Sequence, residues 1–191
     1  MPAPATPHAR LRHGAPPLLL LLTALATALA CHHPRTHDAT FLWRSLQFLR
    51  AMAPSHAQPC HQHHAPFPFP DALLHTDHPQ QAADTLQRIL DNLFDILSSN
   101  SALQHWGTQA HRDLLSTMDR YLEDLQPCVT PNGTLPQGRG AQDLRLRIDE
   151  YFSHFHNFLR THNHSACAWN HVRLQARTCF QHLHNLTRTM R

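Results

Sequence analysis

Residues 167–186 read CAWNHVRLQARTCFQHLHNL, and this stretch decides the fold. At 100° per residue, Trp169, Val172, Ala176, Cys179, Phe180, Leu183 and Leu186 fall in one arc about 120° wide, the apolar stripe of a helix facing a core. Beside that arc lie Asn170, Arg173, Arg177, His184 and Arg188. Packing does not require this polar and basic strip. Its bland reading is a solvated helix face; its functional reading is a docking face, with Arg173 and Arg177 projecting together because they are four residues apart.

The whole chain has 191 residues and 41% apolar content, enough for one domain with one core. Only five glycines accompany its many leucines and alanines, which favours helices. All sixteen cationic side chains are arginine, thirteen carboxylates oppose them, and twenty histidines are added. A balance so near neutral, without a basic run, argues against nucleic-acid binding. At the N-terminus Arg10 and Arg12 precede an apolar run from Leu18 to Leu29 and then Ala28-Leu29-Ala30, the three regions of a secretory signal peptide. The run is too short to span a bilayer, so residues 1–30 are expected to be removed and 31–191 to form a secreted, single helical domain without membrane insertion.

In that compartment the cysteines can pair. Cys31, Cys60, Cys128, Cys167 and Cys179 are odd in number, and Cys179, inside the apolar arc, is the natural free thiol. Asn132, Asn163 and Asn185 each begin an N-x-S/T sequon. The first two lie in expected loops, whereas Asn185 lies near a helix end.

Leu42, Leu46, Phe48 and Leu49 recur at helical spacing over residues 39–52, and Pro54 stops the run. Residues 53–78, rich in proline and histidine and without periodicity, read as a long crossover loop. Pro79 suits a first helical position, and Ala82, Leu86, Leu90, Leu93 and Leu97 carry a second helix to about Ser98. Serines, Asn100 and Gly107 then break the pattern. Thr108 caps a third helix marked by Leu114, Leu115, Met118, Leu122 and Leu125, which Pro127 ends. After the loop CVTPNGTLPQGRG, a fourth helix carries Leu144, Ile148, Tyr151, Phe152, Phe155, Phe158 and Leu159. Ser165 caps the fifth.

The resulting fold class is an all-α bundle of five helices. Short links make the second and third helices antiparallel, and likewise the fourth and fifth. If the first runs parallel to the second and fourth, Cys31 shares one end with Cys128 and Cys60 the other with Cys167. If it is reversed, the pairs become Cys31 with Cys167 and Cys60 with Cys128. Other pairings would bridge a helix roughly 30 Å long, against the ~6 Å a disulfide tolerates. The residues alone leave both options open.

Cys167-Ala168-Trp169 followed by Val172-Arg173 resembles the start of the last helix of type I interferons, with Asn170 where that family usually has an acidic residue. LFDILSS ahead of Trp106, YLEDLQPCV at Cys128, Tyr151-Phe152, and Phe67-Pro68-Phe69-Pro70 in the crossover loop are similar to the family's segments at the same places. The lysine-free, histidine-rich style is most similar to the alpha-type interferons of birds. The resemblance spans essentially all of residues 31–191. It implies an up-up-down-down cytokine bundle, disulfides Cys31–Cys128 and Cys60–Cys167, and a monomer that joins the two chains of the alpha/beta interferon receptor for antiviral Janus kinase and STAT signalling. It further implies that the high-affinity receptor chain meets the crossover loop at His61, His63 and His64, and the last helix at Arg173, Leu174, Arg177 and Thr178. The lower-affinity chain would meet the second, third and fourth helices, with Phe94 and Asp95 at family contact positions. His64 stands where many relatives have arginine, and Asp149 replaces a basic residue.

The alternative is a histidine-rich secreted metal-binding protein. His61, His63 and His64, with His154 and His156 or His182 and His184, supply ligand types, but histidines two apart on a helix diverge by about 160° and cannot converge on one ion. The histidines are therefore read as surface filler, with no metal and no cofactor expected. An enzyme is disfavoured because the chain has no G-x-S-x-G, H-E-x-x-H, C-x-x-C or phosphate-cradling glycine loop.

Overall fold

The computed structural model describes residues 35–54, 60, 68–70, 73, 79–129 and 139–190. Among them are six helices and no strand: α1 (Arg35–Ala51), α2 (Pro79–Ser98), α3 (Asn100–Trp106), α4 (Gln109–Leu125), α5 (Arg139–Thr161) and α6 (Ala166–Thr189), with a 3₁₀ turn at Gln126–Cys128 after α4. Residues 1–30, expected to be a signal peptide, and Cys31, His61, His63, His64 and Asn132 lie outside the described residues.

Local chemistry sets the helix ends, and it corrects the expected break between the second and third helices. Ser99 does interrupt α2, but its hydroxyl accepts from the Ala102 amide at 3.3 Å and so starts a new helix, α3. Gly107 closes α3: its amide donates to the Leu103 carbonyl at 2.9 Å, and a Cβ there would meet that oxygen at 2.8 Å. Thr108 then caps α4 by accepting from the His111 amide. At the other turn, Asn163 and His164 take φ of 49° and 50°. The His164 amide donates to Leu159 O and the Asn163 amide to Arg160 O, a left-handed C-terminal cap that reverses the chain before Ser165 caps α6.

Side-chain pairs give the helix directions. Tyr121, near the end of α4, donates its hydroxyl to Asp38, near the start of α1, at 2.8 Å, and His37 meets Asp124 at 3.4 Å. Phe41 lies against Phe180 while the Leu49 carbonyl meets Arg173, so α1 runs opposite to α6 as well as to α4. His111 contacts the Leu97 carbonyl and Trp169 donates to Ser101, which makes α2 antiparallel to α4 and α6. Phe158 against His171 sets α5 antiparallel to α6. Hence α1, α2 and α5 run one way and α4 and α6 the other. Cys60 and Cys167 are disulfide-bonded, with Cα atoms 5.6 Å apart. This bond removes the reversed-helix alternative, which needed Cys167 to join Cys31.

α1 packs on α4 and α6, while α2 packs on α4, α6 and α5. α2 is therefore the central helix, and Ala82, Ala83, Leu86, Ile89, Leu90, Leu93, Ile96 and Leu97 are all buried on it. Phe69 and Leu73 bring the crossover segment into the same core, Phe69 edge-on to Tyr151 at 5.4 Å and stacked on His182 at 4.7 Å. Asp149, unusual by resemblance, accepts a two-pronged ion pair from Arg88 at 2.6 and 3.0 Å, joining α5 to α2. Both side chains are partly exposed, so the pair contributes at most about 1 kcal/mol.

His111 departs furthest from the surface-filler reading. It is fully buried, its Nε2–H donates to the Leu97 carbonyl at 2.8 Å, and its Nδ1 has no hydrogen-bond partner. Burial lowers its pKa below 6.5, the Leu97 bond works against that, and Arg112 adds to it. Its place in the first turn of α4, at the positive end of the helix, also disfavours a cation. Because the unfolded chain takes up this proton first, the contribution is complete above about pH 6.5 and is lost as pH falls below it. Urea unfolding of wild type and His111→Leu at pH 7.5 and 5.5 checks this. The variant is expected to be less stable at both, but to lose less on acidification.

Candidate functional site

α6 presents different groups around its circumference. The buried side carries Trp169, Val172, Ala176, Cys179, Phe180, Leu183 and Leu186 as the periodicity predicts. Tyr151 Oη and Cys179 Sγ lie 3.2 Å apart within it. Burial pushes the Cys179 thiol up to about 12, so it is a protonated, unreactive core thiol at neutral pH. Tyr151 is pushed up as well, first by burial and then by Cys179.

The expected exposed basic strip is only partly present. Arg177 is half-buried at the surface, and Leu174 is 42% exposed. Thr178 is half-buried, and its hydroxyl donates to the Leu174 carbonyl. Gln181, His184, Asn185 and Arg188 continue this outer face as exposed residues. Arg173 is different: it is 7% exposed, and its position about 40° from Trp169 turns it under α1 and not outward. One guanidinium nitrogen donates to the Leu49 carbonyl at 3.0 Å, and Asn170 Oδ1 accepts from two others at 3.1 and 2.8 Å. Burial and then the like charge of Arg177 lower its pKa, though a guanidinium stays charged at any physiological pH. A stripe reading from periodicity alone missed this because the angle places Arg173 at the edge of the core, and only the position of α1 decides which way that edge faces. His182, on the far flank, is occupied by Phe69.

On α2, Phe94 is half-buried against the core and Asp95 is exposed. α2 packs on the inner side of α6, so the outer face of α6 points away from α2 and from Phe94 and Asp95. The two groups of residues therefore do not form one site. Of the sequons, Asn163 is exposed in the α5–α6 turn, while Asn185 is exposed near the end of α6, with Leu186 and Thr187 next to it buried. The Thr187 hydroxyl donates to the His184 carbonyl. Among the described residues, no three histidine, cysteine or carboxylate side chains are grouped to hold a metal ion, and no helix is long and apolar enough to cross a membrane.

Set α5 aside and α1 and α2 run up while α4 and α6 run down; this up-up-down-down arrangement, with a long connection between α1 and α2 and α5 added beside it, is that of a helical cytokine. The Interferon alpha/beta domain matches residues 35–190. The chain is 46% identical to Interferon type B of Gallus gallus over 174 residues, covering 91% of this chain and 86% of that protein. It is 44% identical to an Interferon of Meleagris gallopavo over 191 residues, all of both chains, and 31% identical to Interferon alpha-A of Bos taurus over 182 residues, 91% and 93% of the two. The chain belongs to the interferon alpha/beta family, a family of cytokines and not of enzymes.

Proposed function

We propose that this interferon is secreted after removal of residues 1–30 and acts as a monomer that joins the two chains of the alpha/beta interferon receptor, starting Janus kinase and STAT signalling towards an antiviral state. What supports the reading is two sets of surface residues carried by different helices, α6 and α2. One is the α6 strip of Leu174, Arg177 and Thr178 beside the end of α1, proposed for the high-affinity chain; the other holds Phe94 and Asp95 on α2, for the lower-affinity chain. α6 has no carboxylate, so its strip suits an acidic receptor surface. By resemblance His61, His63 and His64 belong with the first face. A rigid ligand with two separate faces raises the effective concentration of one receptor chain for the other without any reaction centre.

Binding of the high-affinity receptor ectodomain tests the α6 face. Arg177→Glu is expected to weaken binding at least tenfold, since close interfacial charge pairs couple by about 1.5 kcal/mol or more. Stability should change by only about 0.5 kcal/mol, as for most surface substitutions. Gln104→Glu, on exposed α3, serves as the control. His182 does not, because it packs on Phe69. Unchanged affinity in Arg177→Glu with normal helicity would remove α6 from the interface.

The second disulfide, Cys31–Cys128, is supported by the contacts of His37 with Asp124 and of Asp38 with Tyr121, which bring the start of α1 to the end of α4. Of the sequons, Asn132 and Asn163 are proposed as glycan acceptors ahead of Asn185. The Thr187 hydroxyl, which an acceptor site needs accessible, is buried and engaged within α6.

A further inference from the structure

We infer that Arg173 is a positioning residue for the receptor face and not a receptor contact: it acts by holding the C-terminal end of α1 against the first turns of α6. This rests on the receptor reading above. α1 ends irregularly. The Met52 amide donates to Phe48 O, but the Ala53 amide donates to Arg50 O and not to Leu49 O, so the helix leaves the Leu49 carbonyl without its intrahelical donor. Arg173 supplies the missing donor from α6 at 3.0 Å. It is a C-terminal cap delivered by a residue 124 positions away along the chain.

Each of the other two guanidinium nitrogens is also engaged. Asn170, one turn earlier on α6, accepts from Nε and from the second terminal nitrogen, so three bonds hold the Arg173 side chain in place, and at 7% exposure it offers little surface to a ligand. An amide suffices here because the Leu49 carbonyl, at the negative end of α1, shares in compensating the cation. Two restraints thus join the crossover to the start of α6. One is Arg173 at the end of α1, and the other is the Cys60–Cys167 bond six residues before it. Leu174 and Arg177 flank the Arg173 anchor directly on the outer side, so the spacing between them and the end of α1 depends on it.

The two roles differ in binding kinetics. A charge facing a partner accelerates association in a salt-dependent way, whereas a group that fixes the shape of a face affects mainly dissociation. The experiment compares Arg173→Met, which keeps the apolar stem, with Arg177→Gln, which removes the same single charge from the outer face. Association and dissociation with the receptor ectodomain are measured from 50 to 500 mM salt, with amide exchange of Met52 and Ala53 in the unbound protein. Arg173→Met is expected to speed dissociation about tenfold, leave the salt dependence of association as in wild type, and accelerate Met52 and Ala53 exchange. Arg177→Gln is expected to flatten the salt dependence and leave that exchange alone.

If Arg173→Met flattens the salt dependence as Arg177→Gln does, Arg173 touches the receptor and the inference is overturned. Faster exchange with unchanged dissociation also overturns it, because the cap would then matter to the fold alone. Should Arg173→Met fail to fold, Asn170→Ala, which loosens the guanidinium without removing it, must show the same changes at smaller amplitude. Wild-type protein is measured first: if it does not bind the ectodomain, the receptor reading fails, whereas the exchange results alone report on the cap.

Discussion

Trp169→Ala is expected to destabilise the protein by about 3–5 kcal/mol, the range for removing a large aromatic side chain from a packed core. The indole is buried, stands edge-on to Trp106 at 5.0 Å, and donates its N–H to Ser101 at 3.1 Å. His105 and His164 lie on its periphery. One side chain thus ties α6 to α3 and to the α5–α6 turn, and its loss leaves both a cavity and an unpaired serine. For a domain of this size the melting temperature should fall by roughly 6–20 °C. Trp43 offers an internal comparison, because it is 62% exposed on α1 and Trp43→Ala should change stability by about 0.5 kcal/mol or less. Chemical denaturation of both variants checks the contrast. A cost below about 1 kcal/mol for Trp169→Ala would contradict the packing described here.

Opening the Cys60–Cys167 bond is the second large effect. The bond closes a loop across a sequence separation of 107 residues. In the chain-entropy model such a loop restricts the unfolded state by about 4–5 kcal/mol. Cys60→Ser with Cys167→Ser should therefore lower stability by an amount of that order, and less if a second disulfide already restricts the same chain. Helicity should persist at low temperature, because Trp169 and the α2 core do not depend on the bridge. Non-reducing peptide mapping should recover Cys60 linked to Cys167. A peptide joining Cys31 to Cys167 would contradict the direction of α1.

These two sites differ in how far the sequence disclosed them. The last helix was legible because its apolar residues recur at the helical period, and every residue of that arc is buried. Ser99 was readable as a break but not as a start, since the same hydroxyl either interrupts a helix or caps the next, and only the following turn decides. Charged positions were less legible. Arg173 and Arg177 share a spacing and a residue type, yet one lies under α1 and the other at the surface. That difference comes from where α1 ends, which no local pattern in α6 encodes. His111 was likewise indistinguishable from the other histidines until α2 placed the Leu97 carbonyl above it. Asp149 read as an oddity of the fourth helix, and Arg88 on α2 accounts for it.

The measurement that bears most directly on the central claim is a dose–response of STAT phosphorylation and antiviral protection in cells of the species that encodes this chain. Purified wild-type protein should act at nanomolar dose, and Arg177→Glu should require at least ten times more. Wild-type protein that is folded, with Cys60 joined to Cys167, and still evokes no phosphorylation at nanomolar dose would contradict the account.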